Sequence, residues 1–245
     1  MIDIRTHRLL MINILKDIYS NFTLSSILGF KGGTALYLFY ELPRFSVDLD
    51  FNLLNISKKD FVYQAVKKIA QKYGELKDNY IKMNTIFFLL SYGEGERNIK
   101  IEISLVPFSN EYEVKQYLGI GMLIMKKEYM AANKMVALTE RKGKANRDIF
   151  DICFFLKAGW SINEGIIRER TGMPLKEYIP HCIACIEKAD KKHILHGLGE
   201  ILDIKTKSWV KAKLISETIF YLNYYMEELN RTGSDNRESE SGSRS

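Results

Sequence analysis

The chain has 245 residues, 46% of them hydrophobic, with a formal net charge of +6 and an isoelectric point near 9.0. That length can bury the core of one large or two modest domains, and the positive balance suits a polyanionic partner. Three cysteines, Cys153, Cys182 and Cys185, argue against a disulfide framework and suit a reducing cytoplasm, and no apolar run approaches the roughly twenty residues that span a membrane.

In chain order, residues 4–20 read as an amphipathic helix, with Leu9, Leu10, Ile12, Leu15 and Ile18 apolar. A short strand near 26–30 feeds the turn Lys31-Gly32-Gly33-Thr34, and a helix runs from Thr34 to about Tyr40 until Pro43 stops it. A strand over 47–53 carries Asp48 and Asp50. Ser57-Lys58-Lys59-Asp60 starts a helix that Gly74 ends. Strands near 79–91 and 97–107 flank the hairpin-like turn Gly93-Glu94-Gly95-Glu96. From about residue 111 the pattern is mostly helical, so the expected domains are 1–108 and 109–230. Residues 231–245 hold no apolar side chain and read as a disordered tail.

The chemistry concentrates in two early segments. Residues two apart on a strand point to one face, so Asp48 and Asp50 project together while Val47, Leu49 and Phe51 pack behind them. Two adjacent carboxylates repel unless a cation lies between them, and hard oxygen ligands suit Mg²⁺ or Mn²⁺ completed by phosphate oxygens. The glycines upstream allow backbone N–H groups to approach a triphosphate. A lone Asp-x-Asp or a lone glycine pair is ordinarily a solvated turn, so a third carboxylate matters. Glu102 supplies it: in Asn98–Leu105 the isoleucines take one face, and Lys100, Glu102 and Ser104 the other.

Further on, Met130, Lys134 and Leu138 share a helical stripe, and an inward lysine needs an anionic partner. A nucleoside triphosphate is one such partner. Asp148 and Asp151 lie i, i+3 on a second helix, where Arg141 and Arg147 are alternative local partners. Basic clusters occur at Lys58-Lys59, Lys67-Lys68, Lys126-Lys127, Arg141–Lys144 and between Lys205 and Lys213. Cys182 and Cys185 form a Cys-x-x-Cys with His193 and His196 downstream, but the segment reads as a helix interior without a second ligand pair at zinc spacing.

The segments Lys31–Leu36, Arg44–Asp50, Lys100-Ile101-Glu102, and Ala132-Asn133-Lys134 through Arg147–Asp151 resemble, in the expected order, the AbiEii/AbiGii toxin family. They cover about half the chain, roughly residues 27–157. The resemblance implies an α+β protein: a DNA polymerase β-like nucleotidyltransferase domain, a mixed sheet flanked by helices, followed by a mostly helical C-terminal domain. It also implies a toxin–antitoxin pair with a cognate antitoxin, an NTP substrate with Mg²⁺, and, as in related mycobacterial members, nucleotide addition to the 3′ end of tRNA. Gly33-Thr34 stands where many polymerase β-like enzymes have Gly-Ser; the hydroxyl survives.

The expected site therefore has Asp48, Asp50 and Glu102 as metal ligands and Gly32, Gly33, Thr34 and Ser46 around the phosphates. Arg44 supports the loop, Lys134 neutralises the triphosphate, and Asp148 orients Lys134 or the acceptor. Two other readings stay open: a module that binds NTP or RNA without turnover, and transfer to a protein or small-molecule acceptor.

Overall fold

The computed structural model of the chain describes residues 3–141, 146–198 and 202–241, with backbone alone from 232 onward. It divides into two compact units, Met1–Lys126 and Lys127–Ser245.

In the first unit, Asp3 caps α1 (Ile4–Ser20), its carboxylate accepting from the Arg5 and Thr6 amides. Met11, Ile14, Leu15 and Ile18 form the buried stripe of α1, whereas Leu9 falls outside it and is exposed. Asn21 caps a short helix, α2 (Phe22–Ile27), which overlaps the start of the expected first strand, so β1 (Leu28–Lys31) begins later. Then follow α3 (Gly32–Phe39), β2 (Leu49–Leu53), α4 (Lys59–Gln71), β3 (Glu75–Lys82), β4 (Thr85–Ser91), β5 (Ile99–Ser104), β6 (Tyr112–Tyr117) and β7 (Ile120–Met125). The strands form one mixed sheet in the order β3-β4-β5-β2-β1-β7-β6, with β2–β5 and β1–β7 parallel and the other pairs antiparallel.

Leu49, Phe51, Leu53, Ile86, Phe88, Leu90, Ile99, Ile101 and Ile103 are buried on one face of this sheet. Helix α4 packs there, with the Tyr63 ring stacked on Phe88 at 5.4 Å. Burying a side chain of this size is worth about 2 kcal/mol. A one-residue slip of β2 or β5 would send Asp50 or Glu102 into that core, so the hydrophobic pattern holds both carboxylates on the opposite face.

Two stretches differ from the sequence reading. The apolar run near 79–91 is a hairpin, β3–β4, that turns at Met83-Asn84 without a glycine to mark it. Residues 112–125, expected to open the helical half, form the β6–β7 hairpin and belong to the sheet. Its turn, Leu118-Gly119, has positive φ at both positions (49° and 77°), the geometry of a two-residue I′ hairpin. Leucine at the first turn position hides that signal, and the boundary between the units accordingly falls after Lys126 rather than near residue 108.

The second unit contains α5 (Lys127–Glu140), α6 (Asn146–Lys157), α7 (Glu164–Thr171), α8 (Leu175–Glu187) and α9 (Ile204–Ser241). α6 packs against α5 and α9, and α9 also against α8. Phe155 and Trp160 stack at 4.7 Å, and α7 runs from the Asn163 cap to a left-handed Gly172. α9 continues through Ser241, into the run whose composition reads as disordered; no proline interrupts it. Residues 242–245 of that run lie outside the described residues, as do Lys142, Gly143 and Lys144 of the basic cluster. Cys182 is a buried residue of α8, and burial pushes its thiol up to about 12, which suits apolar packing rather than thiolate ligation. Among the described residues, no helix is long and apolar enough to cross a membrane.

Candidate active site

The open face of the sheet holds the carboxylates. In the parallel β2–β5 pair, Asp50 lies opposite Glu102, and in the antiparallel β1–β2 pair Lys31 lies opposite Asp50. Residues so paired share a face, so Lys31, Asp50 and Glu102 form one row across three adjacent strands. Asp48 immediately precedes β2, two residues before Asp50.

The glycine turn is built around this row. Gly32 has φ +77°, and a Cβ there would come within 2.2 Å of the Asp50 Oδ2 atom. Only glycine permits both the left-handed backbone and that close approach. A Cβ at Gly33 would meet Ser46 Oγ at 2.6 Å and Arg44 Nη2 at 3.0 Å. Ser46 and Arg44, both buried, thus pack against the first turn of α3 as its support. The Thr34 hydroxyl, fully buried, donates to the Asp48 carbonyl and so ties the first turn of α3 to the segment that carries the carboxylates. The groups of this turn available to a phosphate are the backbone N–H donors of α3, which have no intrahelical acceptor and lie at the positive end of the helix dipole.

Among the described residues, no three His, Cys, Asp or Glu side chains already converge as a metal cage. The donor set is hard carboxylate oxygen, with Asp50 and Glu102 abreast and Asp48 nearby. That fits an open site for Mg²⁺ or Mn²⁺, in which one or two carboxylates bind and substrate phosphates complete the shell.

His7 went unnoticed in the sequence because a single histidine on an amphipathic helix has no signature. It is fully buried: Nε2 lies 2.9 Å from the Val47 carbonyl and Nδ1 lies 2.8 Å from the Tyr92 hydroxyl. It clamps the segment just before Asp48, with Phe45 edge-on to its ring at 5.9 Å. Burial lowers its pKa below the ordinary 6.5, outweighing the opposite pull of the Val47 bond and of Asp48. Because the folded state disfavours the imidazolium, this contribution to stability is full above about pH 6.5 and is lost as pH falls through the lower folded value. Melting temperature should therefore drop below pH 6.5 in the native protein, and His7→Gln should abolish that part of the drop. An identical acid profile in the variant would assign the loss to other groups.

A second group lies in the helical unit. Lys134 Nζ is 3.0 Å from Asp148 Oδ1 and 2.9 Å from Asp151 Oδ2, and Arg141 Nη1 is 2.8 Å from Asp148 Oδ2. The aspartates are 1% and 0% exposed, and Lys134 only 18%. Two cations thus balance two buried carboxylates, which explains an inward lysine without any ligand. Asp148 and Asp151 pair with Lys134 at nearly the same distance.

The family model described as the nucleotidyl transferase AbiEii toxin of type IV toxin–antitoxin systems matches residues 13–181, and no curated protein matches. Two crystal structures from Helicobacter pylori share the fold. One is described as a candidate nucleotidyltransferase (24% identity, TM-score 0.60), covering 93% of this chain and 96% of that one. The other, JHP933, is 23% identical with a TM-score of 0.54, covering 94% and 97%. Glycine turn, Asp-x-Asp, third carboxylate and the lysine–aspartate helices all fall within the matched span, and the chain belongs to the AbiEii nucleotidyl transferase toxin family of type IV toxin–antitoxin systems, which implies a cognate antitoxin.

Proposed function

We propose that the chain transfers a nucleotide from an NTP to a hydroxyl acceptor, the 3′ end of tRNA, in the cytoplasm. The observation that carries this reading is the register Asp50–Glu102 beside Gly32. Two carboxylates beside a helix N-terminus support a site for one triphosphate. Asp48, Asp50 and Glu102 would hold Mg²⁺, which supplies neutralisation of the phosphate charge. The α3 amides bind the β- and γ-phosphates, while Gly32 and Gly33 let Asp50, Ser46 and Arg44 pack close against that turn. The acceptor oxygen attacks the α-phosphorus, the bond from that phosphorus to the bridging oxygen breaks, and pyrophosphate and the hydroxyl proton depart. Glu102, furthest along the row from the glycine turn, would face the acceptor. The net charge of +6 favours an RNA acceptor over a neutral small molecule.

NTP and Mg²⁺ together should raise the melting temperature more than either alone. Saturation at a hundred times Kd adds about 2.7 kcal/mol of stability. Incubation with each labelled NTP, total RNA and total protein then identifies the acceptor. No thermal shift with any of the four NTPs at saturating concentration would defeat the nucleotide-site reading, and label in protein but not in RNA would replace the acceptor.

A further inference from the structure

The carboxylate row continues beyond Glu102. In the β4–β5 pairing Phe87 lies opposite Glu102, and in the β3–β4 pairing Tyr80 lies opposite Phe87. Lys31, Asp50, Glu102, Phe87 and Tyr80 therefore follow one another across five adjacent strands, on one face, at steps of about 4.8 Å. The Phe87 and Tyr80 rings are stacked, with centroids 5.0 Å apart and planes 18° from parallel. Lys82 Nζ lies 4.2 Å from the Tyr80 ring centroid.

A second stacked pair, Tyr63 with Phe88, belongs to the opposite face and is core, with Phe88 fully buried under α4. Tyr80 and Phe87 are only half-buried. A cross-strand aromatic pair stabilises a hairpin, but it does not need to sit in line with the carboxylates. This row has direction: the phosphate-binding turn follows Lys31 at one end, the aromatic rings stand at the other, and Glu102 lies between. A strand with its reactive hydroxyl at Glu102 would reach Phe87 and Tyr80 if it ran along this row. Sequence-tolerant binding of single strands is built from such rings together with nearby cations. The cations here are Lys82 and the exposed Lys100, which shares the face of Glu102.

We propose that Phe87 and Tyr80 form a stacking platform for the unpaired terminal base of an acceptor RNA strand, so that the enzyme takes single-stranded 3′ ends. This rests on the nucleotidyl-transfer reading of the same face. The test uses the full chain and a 5′-labelled single-stranded RNA, with its 3′-terminal base either intact or removed, read by fluorescence anisotropy. The native protein should bind the intact strand about tenfold more tightly than the abasic one. Tyr80→Leu and Phe87→Leu should lose that preference and leave abasic binding unchanged, whereas Phe87→Tyr should keep it. The thermal shift with NTP and Mg²⁺, measured in parallel, separates the two ideas. A normal shift alongside equal binding of intact and abasic strands by the native protein overturns the platform and leaves nucleotidyl transfer standing. Absence of the shift in the native protein overturns nucleotidyl transfer itself. Leucine variants that lose the NTP shift but keep the strand preference would assign the rings to the incoming nucleotide. If a leucine variant does not fold, the intact-against-abasic comparison in native protein and in Phe87→Tyr still decides.

Discussion

Asp48→Asn/Asp50→Asn should lower nucleotide transfer at least a thousandfold and relieve growth arrest when the protein is expressed alone, with the fold retained. Charge stabilisation by a bound divalent cation is worth several kcal/mol, and about 4 kcal/mol corresponds to about a thousandfold in rate. Asparagine preserves shape but removes the charge that would hold a cation. The Thr34 hydroxyl bonds to the backbone carbonyl of Asp48, and His7 to that of Val47, so neither contact is lost with the carboxylates. The melting temperature without ligand should stay close to native, and the increment from NTP with Mg²⁺ should vanish. Growth arrest that persists in the double variant would mean toxicity without nucleotidyl transfer.

Lys134→Ala should act first on stability. Removing one partner of a buried ion pair typically costs about 3 kcal/mol or more, because the other charge stays in a poor solvent. Here Asp148 and Asp151, 1% and 0% exposed, both lie within 3.0 Å of the Lys134 ammonium. Arg141 reaches only Asp148 among the bonds described and is itself 59% exposed, so it replaces little of what is lost. A fall of roughly 10 °C in melting temperature is expected, and Asp148→Asn/Asp151→Asn in the Lys134→Ala background should recover much of it by removing the orphaned charges. A variant with native melting behaviour and a raised KM for NTP would instead make Lys134 a phosphate clamp, as its place on the helix first suggested. Nearly isosteric Lys134→Met keeps the packing of the stem while removing the charge, so it separates the cost of the lost charge from that of the lost volume.

Much of this protein was already legible as a linear pattern. α1 occupies the span that its apolar periodicity indicates, and the strict alternation of Ile99, Ile101 and Ile103 both identified β5 and placed Glu102 on the polar face. Such features are local: a period of 3.6 or 2 decides which side chains share a surface, and a glycine pair marks a backbone that others must approach closely. Elements whose signal is weak locally were lost. The β6–β7 turn uses leucine where asparagine or aspartate would announce it, and the β3–β4 turn has no glycine. Tyr112 shows the consequence. Its ring covers Gly29, where a Cβ would come within 2.2 Å of it, and its hydroxyl accepts from Asn52 Nδ2 at 2.7 Å.

By itself, the sequence determined the Asp-x-Asp spacing, the polar strand face of Glu102, the glycine turn and the family to which they belong, because each depends on residue type and local pattern. Only the tertiary structure decided which residues stand beside which. Parallel pairing of β2 with β5 set Asp50 against Glu102 across a long gap in the chain, and the antiparallel hairpin extended that row to Phe87 and Tyr80. It also brought His7 to Val47 and closed Lys134 onto two aspartates rather than leaving it open to a ligand. The physical reason is that strand register and ion-pair partners follow from burying the apolar face of the whole sheet and the whole helical unit. That burial is a collective quantity, which no short window of sequence contains.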